Sequence, residues 1–316
     1  MDATGIRVLV AGAPSDVATQ YAPMRAVLSL AERAAGSDAH VLITGEPGTG
    51  KRLLARWLHQ RSHRAGAPLV EADCAEHSDA ALEGELFGQE HDALPSAGDY
   101  RPGLLEIAAG GALFLDAVDA LHPRLQARLH HSLQADVAQR LAGGRPMLGS
   151  VRVLAASDQE LAPRVREGTF HGDLYYRIST ISITLPPLRE RVVDIPLLAQ
   201  RFLERCGGTR ASELSPEAVD VLQAYPWPGN VRELRMVIER AARLAATGVV
   251  RASDLSLPRR AAPPLQTLEG VERDHIEAVL RTVAWHQGRA ADLLGISPKT
   301  LYRKIRRYGF RRPNGS

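Results

Sequence analysis

The chain has 316 residues, 45% hydrophobic and 24% charged, an ordinary globular balance with room for one large domain and a smaller one. No apolar run approaches the roughly 18 residues of a membrane span, the stretch from Met1 to Gly5 lacks the charged and apolar regions of a secretory signal, and two cysteines, Cys74 and Cys206, give no disulfide framework, so a reducing cytoplasm is expected. The net charge of +3 is uneven: residues 265–316 hold ten Lys/Arg against five Asp/Glu, and from Ser297 to Ser316 there are seven basic residues and no acidic one, which points that end toward an anionic partner, nucleic acid first.

Taken in order, residues 1–20 form a short segment whose apolar piece, Ile6 to Val10, is too short for a domain. Ala22 to Ala35 reads as a helix, with Met24, Val27, Leu28 and Ala31 at helical spacing. The apolar run His40-Val41-Leu42-Ile43 then leads into Thr44-Gly45-Glu46-Pro47-Gly48-Thr49-Gly50-Lys51 and a helical pattern through Leu54 and Leu58. Strand, glycine-rich turn and helix with Lys at its start is a phosphate-binding loop: glycines let the backbone N–H groups face a phosphate, and the helix N-terminus favours an anion. Lys51 is expected to reach the terminal phosphates. The usual pattern continues with Ser or Thr, whose hydroxyl helps hold Mg²⁺; Arg52 stands there instead.

Further strands are expected at Pro68–Ala72, Ala112–Asp116, Val151–Ala156 and Ile181–Leu185, with helices around Leu82–Phe87 and His122–Gln134. Strands alternating with helices predict a mostly parallel sheet covered on both faces, an α/β fold over residues 21–190. From Asp194 the pattern is only helical (Ile195–Cys206, Pro216–Ala224, Val231–Ala246), a lid over 191–248. Residues 249–267, with Pro258, Pro263 and Pro264, have linker composition. Residues 268–316 read as a small all-α module. In it Arg289–Leu294 is a helix, Gly295-Ile296 a turn, and Ser297-Pro298 the N-cap and first residue of a basic helix. Helix, turn and basic helix is the geometry that reads the DNA major groove. Lys299, Thr300 and Arg303 are the base-edge candidates; Arg289, Ser297, Tyr302 and Lys304 belong to the same face, and Arg306, Arg307, Arg311 and Arg312 suit phosphates. Leu301 and Ile305 face the core, and Val271, Ile276, Val279 and Leu280 offer a dimer surface.

Seven stretches in order (Gly45–Lys51, Glu85–Gly88, Gly110–Asp116, Asp173–Arg177, Leu185–Arg191, Asp194–Pro196 and Trp227–Leu234) resemble the central AAA+ domain of the sigma-54-dependent transcriptional activators, and the last module resembles that family's Fis-type helix-turn-helix. The resemblance covers roughly residues 20–310. It implies a bacterial hexameric or heptameric ATPase that remodels sigma-54 RNA polymerase on double-stranded DNA, with ATP/ADP bound by residues 45–52, Mg²⁺ held through the nucleotide by Asp116, γ-phosphate sensing at Asp158, an arginine finger at Arg177 and a lid arginine at Arg232.

The chain departs from the family where hydrolysis and the sigma contact are made. Ala117 replaces the glutamate that orients the attacking water, and a methyl group cannot do that work. Asp158 replaces Asn or His, His171 replaces the first finger arginine, and Asp119 is the nearest substitute carboxylate. The family's Gly-Ala-Phe-Thr-Gly-Ala loop is here Asp92-Ala93-Leu94-Pro95-Ser96-Ala97, stiffened by its proline. The expectation is a cytoplasmic, nucleoid-bound DNA-binding regulator that binds ATP or ADP, hydrolyses it poorly or not at all and does not remodel the polymerase. The alternatives are a working ATP-hydrolysing activator and an architectural DNA-binding oligomer.

Overall fold

The computed structural model describes residues 7–9, 17–76, 78–88, 102–141, 150–206, 212–245, 248–257, 268–283 and 285–310. The chain divides into two compact units, Met1–Ser256 and Leu257–Ser316.

The first unit is built on a six-stranded sheet in the order β1-β3-β4-β5-β2-β6. Its strands are β1 (Arg7–Leu9), β2 (Val41–Thr44), β3 (Leu69–Asp73), β4 (Ala112–Asp116), β5 (Arg152–Ser157) and β6 (Ile181–Thr184). β2 to β6 are parallel; β1 pairs antiparallel with β3, Val8 opposite Val70, so the apolar piece near the N-terminus joins the sheet edge. Strand residues alternate between two cores, as side-chain period two requires. Val41, Ile43, Phe114, Leu154 and Ile183 pack under α1 (Ala22–Ala35) and α2 (Lys51–Gln60). Leu42, Val70, Leu113, Leu115 and Val153 pack under α3 (Asp79–Phe87), α4 (Leu104–Ile107), α5 (Pro123–Leu141), α6 (Leu161–Arg166) and α7 (Gly172–Ile178). α4, α6 and α7 are too short to leave a clear helical period, which is why the sequence pattern passes over them.

The rest of this unit contains α8 (Ile195–Arg205), α9 (Pro216–Ala224) and α10 (Asn230–Leu244). It is not wholly helical: β7 (Glu213–Leu214) and β8 (Val249–Val250) form a small parallel pair. Two residues per strand carry no alternation to read. The second unit has α11 (Leu268–Thr282), α12 (Gln287–Leu294) and α13 (Pro298–Tyr308), closed around Ile276, Leu280, Ala290, Ala291 and Leu301. Among the described residues no helix is long and apolar enough to cross a membrane.

Two arginines tie helices to the sheet, one half-buried and one buried. Arg56 on α2 forks both oxygens of Glu71 on β3, at 2.6 and 2.7 Å. Arg152, 1% exposed, donates to the carbonyls of Ala34, Ala35 and Ala39 at 2.7, 3.4 and 3.1 Å, satisfying the C-terminal end of α1. Arg152→Met removes these donors; Ala34 keeps its bonds from Ser37, but the Ala35 and Ala39 carbonyls lose theirs, so it is expected to destabilise the α/β unit by about 2 kcal/mol, read as a lower urea midpoint with an unchanged slope.

Candidate functional site

The sheet order places β2 between β5 and β6, with crossovers running to either side, so a crevice opens at the carboxyl ends of the strands. The glycine loop sits there. Gly45, Gly48 and Gly50 take φ of 149°, 80° and 108°, values that L side chains rarely adopt, and Gly50 precedes the first residue of α2, Lys51. A Cβ on Gly48 would lie 2.3 Å from the Gly229 carbonyl oxygen, so this position also sets how closely the α10 end approaches the loop.

A cavity of about 510 Å³ follows, lined by Pro47, Gly48, Gly50, Lys51, Arg52, Asp73, Asp116, Ala117, Asp158 and Arg232. The sequence-derived candidates therefore meet around one space. The lid adds Phe202, Arg205, Val231 and Arg235, and β3 adds Asp73. Of these, Phe202, Arg205, Arg235 and Asp73 were not legible as site residues: three lie on lid helices with ordinary amphipathic spacing, and Asp73 differs from any strand-end carboxylate only by its neighbour. A smaller apolar recess of about 80 Å³ adjoins it, walled by Val17, Ala18, Leu54, Leu185, Leu198 and Phe202.

The charged groups in the cavity are tied to one another. Lys51 is 6% exposed; its Nζ donates to Asp158 Oδ1 at 2.5 Å and to the carbonyls of Gly45 and Glu46 at 2.7 and 3.1 Å. Asp158 thus faces a lysine where sequence alone sets a carboxylate against phosphate. Arg52 reaches across to Asp116 Oδ2 with Nε at 3.2 Å and a terminal nitrogen at 2.9 Å, and the same nitrogen lies 3.2 Å from Asp73 Oδ2. Burial pushes the Asp116 carboxyl above its ordinary range; Arg52 pulls it down and the Asp73 charge pushes it up again.

The loop is also bolted to the residues after β6. Glu46 forks Arg189 at 2.6 and 2.8 Å. The Asn230 amide donates to Glu46 and to the Pro47 carbonyl at 3.1 and 3.0 Å while its oxygen accepts the Leu188 N–H at 2.8 Å. Buried Arg191 donates to the Thr49 carbonyl at 3.1 Å. The Arg232 N–H donates to the Gly48 carbonyl at 3.3 Å.

The Mg²⁺ expected on Asp116 does not fit this donor set. The Thr49 hydroxyl is turned back onto the Glu46 carbonyl at 2.8 Å, the position after Lys51 is a cation, and that cation rests on Asp116. Ala117, at φ 53° and ψ 47°, supplies no oxygen. Asp119 does not line the cavity. Arg177 and His171 do not line it either: Arg177 donates to the Leu133 carbonyl at 3.1 Å, and His171 caps α7 and stacks on His130 at 5.5 Å. The loop at Asp92–Ala97 lies outside the described residues.

In the second unit Gly295 takes φ 64° to end α12, and Ser297 Oγ accepts the Thr300 N–H at 3.1 Å to start α13, with Pro298 at its first position. Leu301 is fully buried. Arg289, Lys299, Tyr302, Arg303, Arg306 and Arg307 are exposed, and Thr300 is half-buried. Two expectations change. Lys304 and Arg307 are not free: Lys304 pairs with Glu272, and Arg307 with Glu269 at 2.5 Å, both on α11. The proposed dimer surface is largely used up inside the unit, because Ile276 is 2% exposed, Leu280 is fully buried and Val279 packs beside them; the Val271 side chain lies outside what is described. Arg311 and Arg312 also lie outside the described residues.

The sheet order and glycine loop of the first unit define a P-loop protein of the AAA+ class with its lid, and the second unit is a helix-turn-helix. Residues 17–184 match the Sigma-54 interaction domain family, 189–268 the AAA+ ATPase lid domain and 267–308 the Bacterial regulatory protein, Fis family. The chain belongs to the family of sigma-54-dependent DNA-binding transcriptional regulators. It is 40% identical over 296 residues to the transcriptional regulatory protein ZraR of Klebsiella oxytoca, covering 90% of this chain and 67% of that protein. Among solved structures it is similar to NtrX from Brucella abortus in complex with ADP (29% identity, TM-score 0.68, 94% of this chain and 70% of that one). It is also similar to the same protein in complex with ATP (30% identity, TM-score 0.67, 93% and 69%).

Gly48→Ala is expected to part the loop from α10. Amide exchange at Arg232, whose N–H bonds to residue 48, should quicken by roughly tenfold or more while the sheet amides keep their protection.

Proposed function

We propose that this chain is a DNA-binding transcriptional regulator that holds ATP or ADP as a structural or allosteric ligand without turning it over, and that it does not remodel sigma-54 polymerase. The observation that carries this is the state of the carboxylates: Asp73, Asp116 and Asp158, all three that line the cavity, are ion-paired, and Ala117 stands where an orienting glutamate is needed. Arg52 holds both Asp73 and Asp116, so neither of these strand-end carboxylates is free to position a water, whereas the parts that bind are present. The loop amides and Lys51 suit the phosphates once Lys51 exchanges Asp158 for them. Arg232 suits the terminal phosphate from the lid side, and the apolar recess by Val17, Leu185 and Phe202 suits the base. The NtrX structures with ADP and ATP support the same ligand class here. Assembly into a ring of six or seven copies, with Arg177 turned toward a neighbour's nucleotide, fits an arginine that is absent from its own cavity. A cytoplasmic, nucleoid-bound setting follows from this role.

The test is equilibrium binding of ATP and ADP alongside steady-state phosphate release and open-complex assays with sigma-54 polymerase. Binding without release above background is expected, and Lys51→Ala should abolish binding. Turnover of roughly one per second, ordinary for an enzyme, or ATP-dependent open complexes, would restore the working-activator reading. DNA binding insensitive to either nucleotide, with no promoter affected by deletion of the gene, would favour an architectural role.

On α13 the exposed Lys299 and Arg303 have no ion pair among the described residues, so they are free for base edges, while Arg306 lies over the Tyr302 ring at 5.8 Å. Arg303→Ala should weaken binding to the cognate site by about 1–3 kcal/mol and relax its sequence preference. Arg307→Ala, which removes a residue already paired with Glu269, should change the salt dependence by less than a full phosphate contact. Titrations at several salt concentrations on cognate and random duplexes separate the two effects.

A further inference from the structure

We propose that the Arg52 guanidinium is a built-in replacement for the divalent cation, so that this chain takes a nucleoside triphosphate as the metal-free polyanion. The inference rests on the nucleotide-site reading above and adds to it the form in which the ligand is bound.

The position of Arg52 is set by the fold. β3 and β4 are parallel neighbours in which Asp73 and Asp116 are register partners, so two carboxylates stand side by side at the strand ends. Two such charges repel, and a cation between them favours both ionised forms. In a P-loop protein that cation is ordinarily Mg²⁺, shared between a strand-end carboxylate, a hydroxyl after the loop lysine and the phosphates. Here the hydroxyl is absent and Arg52, in the first turn of α2, reaches both carboxylates, at 2.9 Å from Asp116 and 3.2 Å from Asp73. The guanidinium uses Nε and one terminal nitrogen for these bonds. The other terminal nitrogen has no partner among the described residues, which leaves two N–H groups for a phosphate oxygen.

A hydrated Mg²⁺ brought to the same carboxylates would have to displace this fork or lie beside a second fixed positive charge. The cavity as a whole points the same way. Lys51, Arg52, Arg205 and Arg232 face three carboxylates, with Arg235 paired to Glu239 at 2.6 Å, and the remaining excess of positive charge suits free ATP over its less charged magnesium complex. Arg52 is 39% exposed, so a ligand in the cavity can reach it.

Isothermal titration of ATP into the full chain, once in EDTA and once in excess Mg²⁺, tests this. The wild type should bind with affinities within about threefold of each other, or more tightly in EDTA. Arg52→Ser, which frees Asp116 and supplies a hydroxyl, should acquire a metal dependence, binding about tenfold or more tightly in Mg²⁺ than in EDTA. Arg52→Lys keeps the charge and should stay metal-independent. Tightening of wild-type binding by tenfold or more on adding Mg²⁺ would overturn the inference and leave the nucleotide site standing. No binding of ATP to the wild type in either buffer would remove the nucleotide site, and the inference with it.

Discussion

Two carboxylates at the ends of neighbouring parallel strands repel each other unless a cation lies between them, and the way this chain supplies that cation organises its site. Register puts Asp73 beside Asp116, and β2 delivers α2 to the same edge of the sheet, so the residue after Lys51 lands between them. With arginine there, the charge is neutralised from within the chain. Lys51 and Asp158 repeat the pattern one strand further along. The cavity is therefore held in shape by its own ion pairs. Such partly exposed pairs contribute modestly to stability; their larger effect is to fix where each charge sits before any ligand arrives.

The second organising element is the close approach of the glycine loop to the segment after β6 and to α10. Glu46, Pro47, Gly48 and Thr49 each bond to a residue between Leu188 and Arg232. A ligand that displaces Lys51 from the Gly45 and Glu46 carbonyls acts on the peptide groups immediately before the Pro47, Gly48 and Thr49 carbonyls that hold the lid side. Binding energy and lid position are in this way connected through backbone contacts, independent of any bond being broken in the ligand.

Much of this fold is legible in the sequence because it rests on local patterns. The glycine loop, the strand ending in Asp116 and the Ser297-Pro298 helix start each have a signature a few residues long, and the structure places them within a residue or two of expectation. What escaped depends on long-range geometry. β1 is three residues long and gains its role only by pairing with β3. Asp73 gains its meaning from Asp116, forty-odd residues away. Phe202, Arg205 and Arg235 belong to helices whose spacing says which face is apolar but not what that face meets. The stripe Ile276, Val279 and Leu280 shows the same limit in reverse, since apolar residues at helical spacing fit a dimer interface as well as the unit's own core. Lys304 and Arg307 read as free because their acidic partners lie a helix away on α11.

Asn230 carries a consequence for how the protein can change over time. Its side chain both accepts and donates, bonding to Leu188, Glu46 and Pro47, and its backbone adopts a positive φ of 52°. Aspartate would keep the acceptor but set a charge against Glu46. Glutamine would carry the right groups on a longer stem that the fully enclosed space does not admit, and glycine would suit the backbone while losing all three bonds. A lineage cannot cross this position by single substitutions without loosening the loop from the lid. The joint is thus a point of evolutionary rigidity, and it holds whether or not the neighbouring positions 52 and 117 still serve hydrolysis.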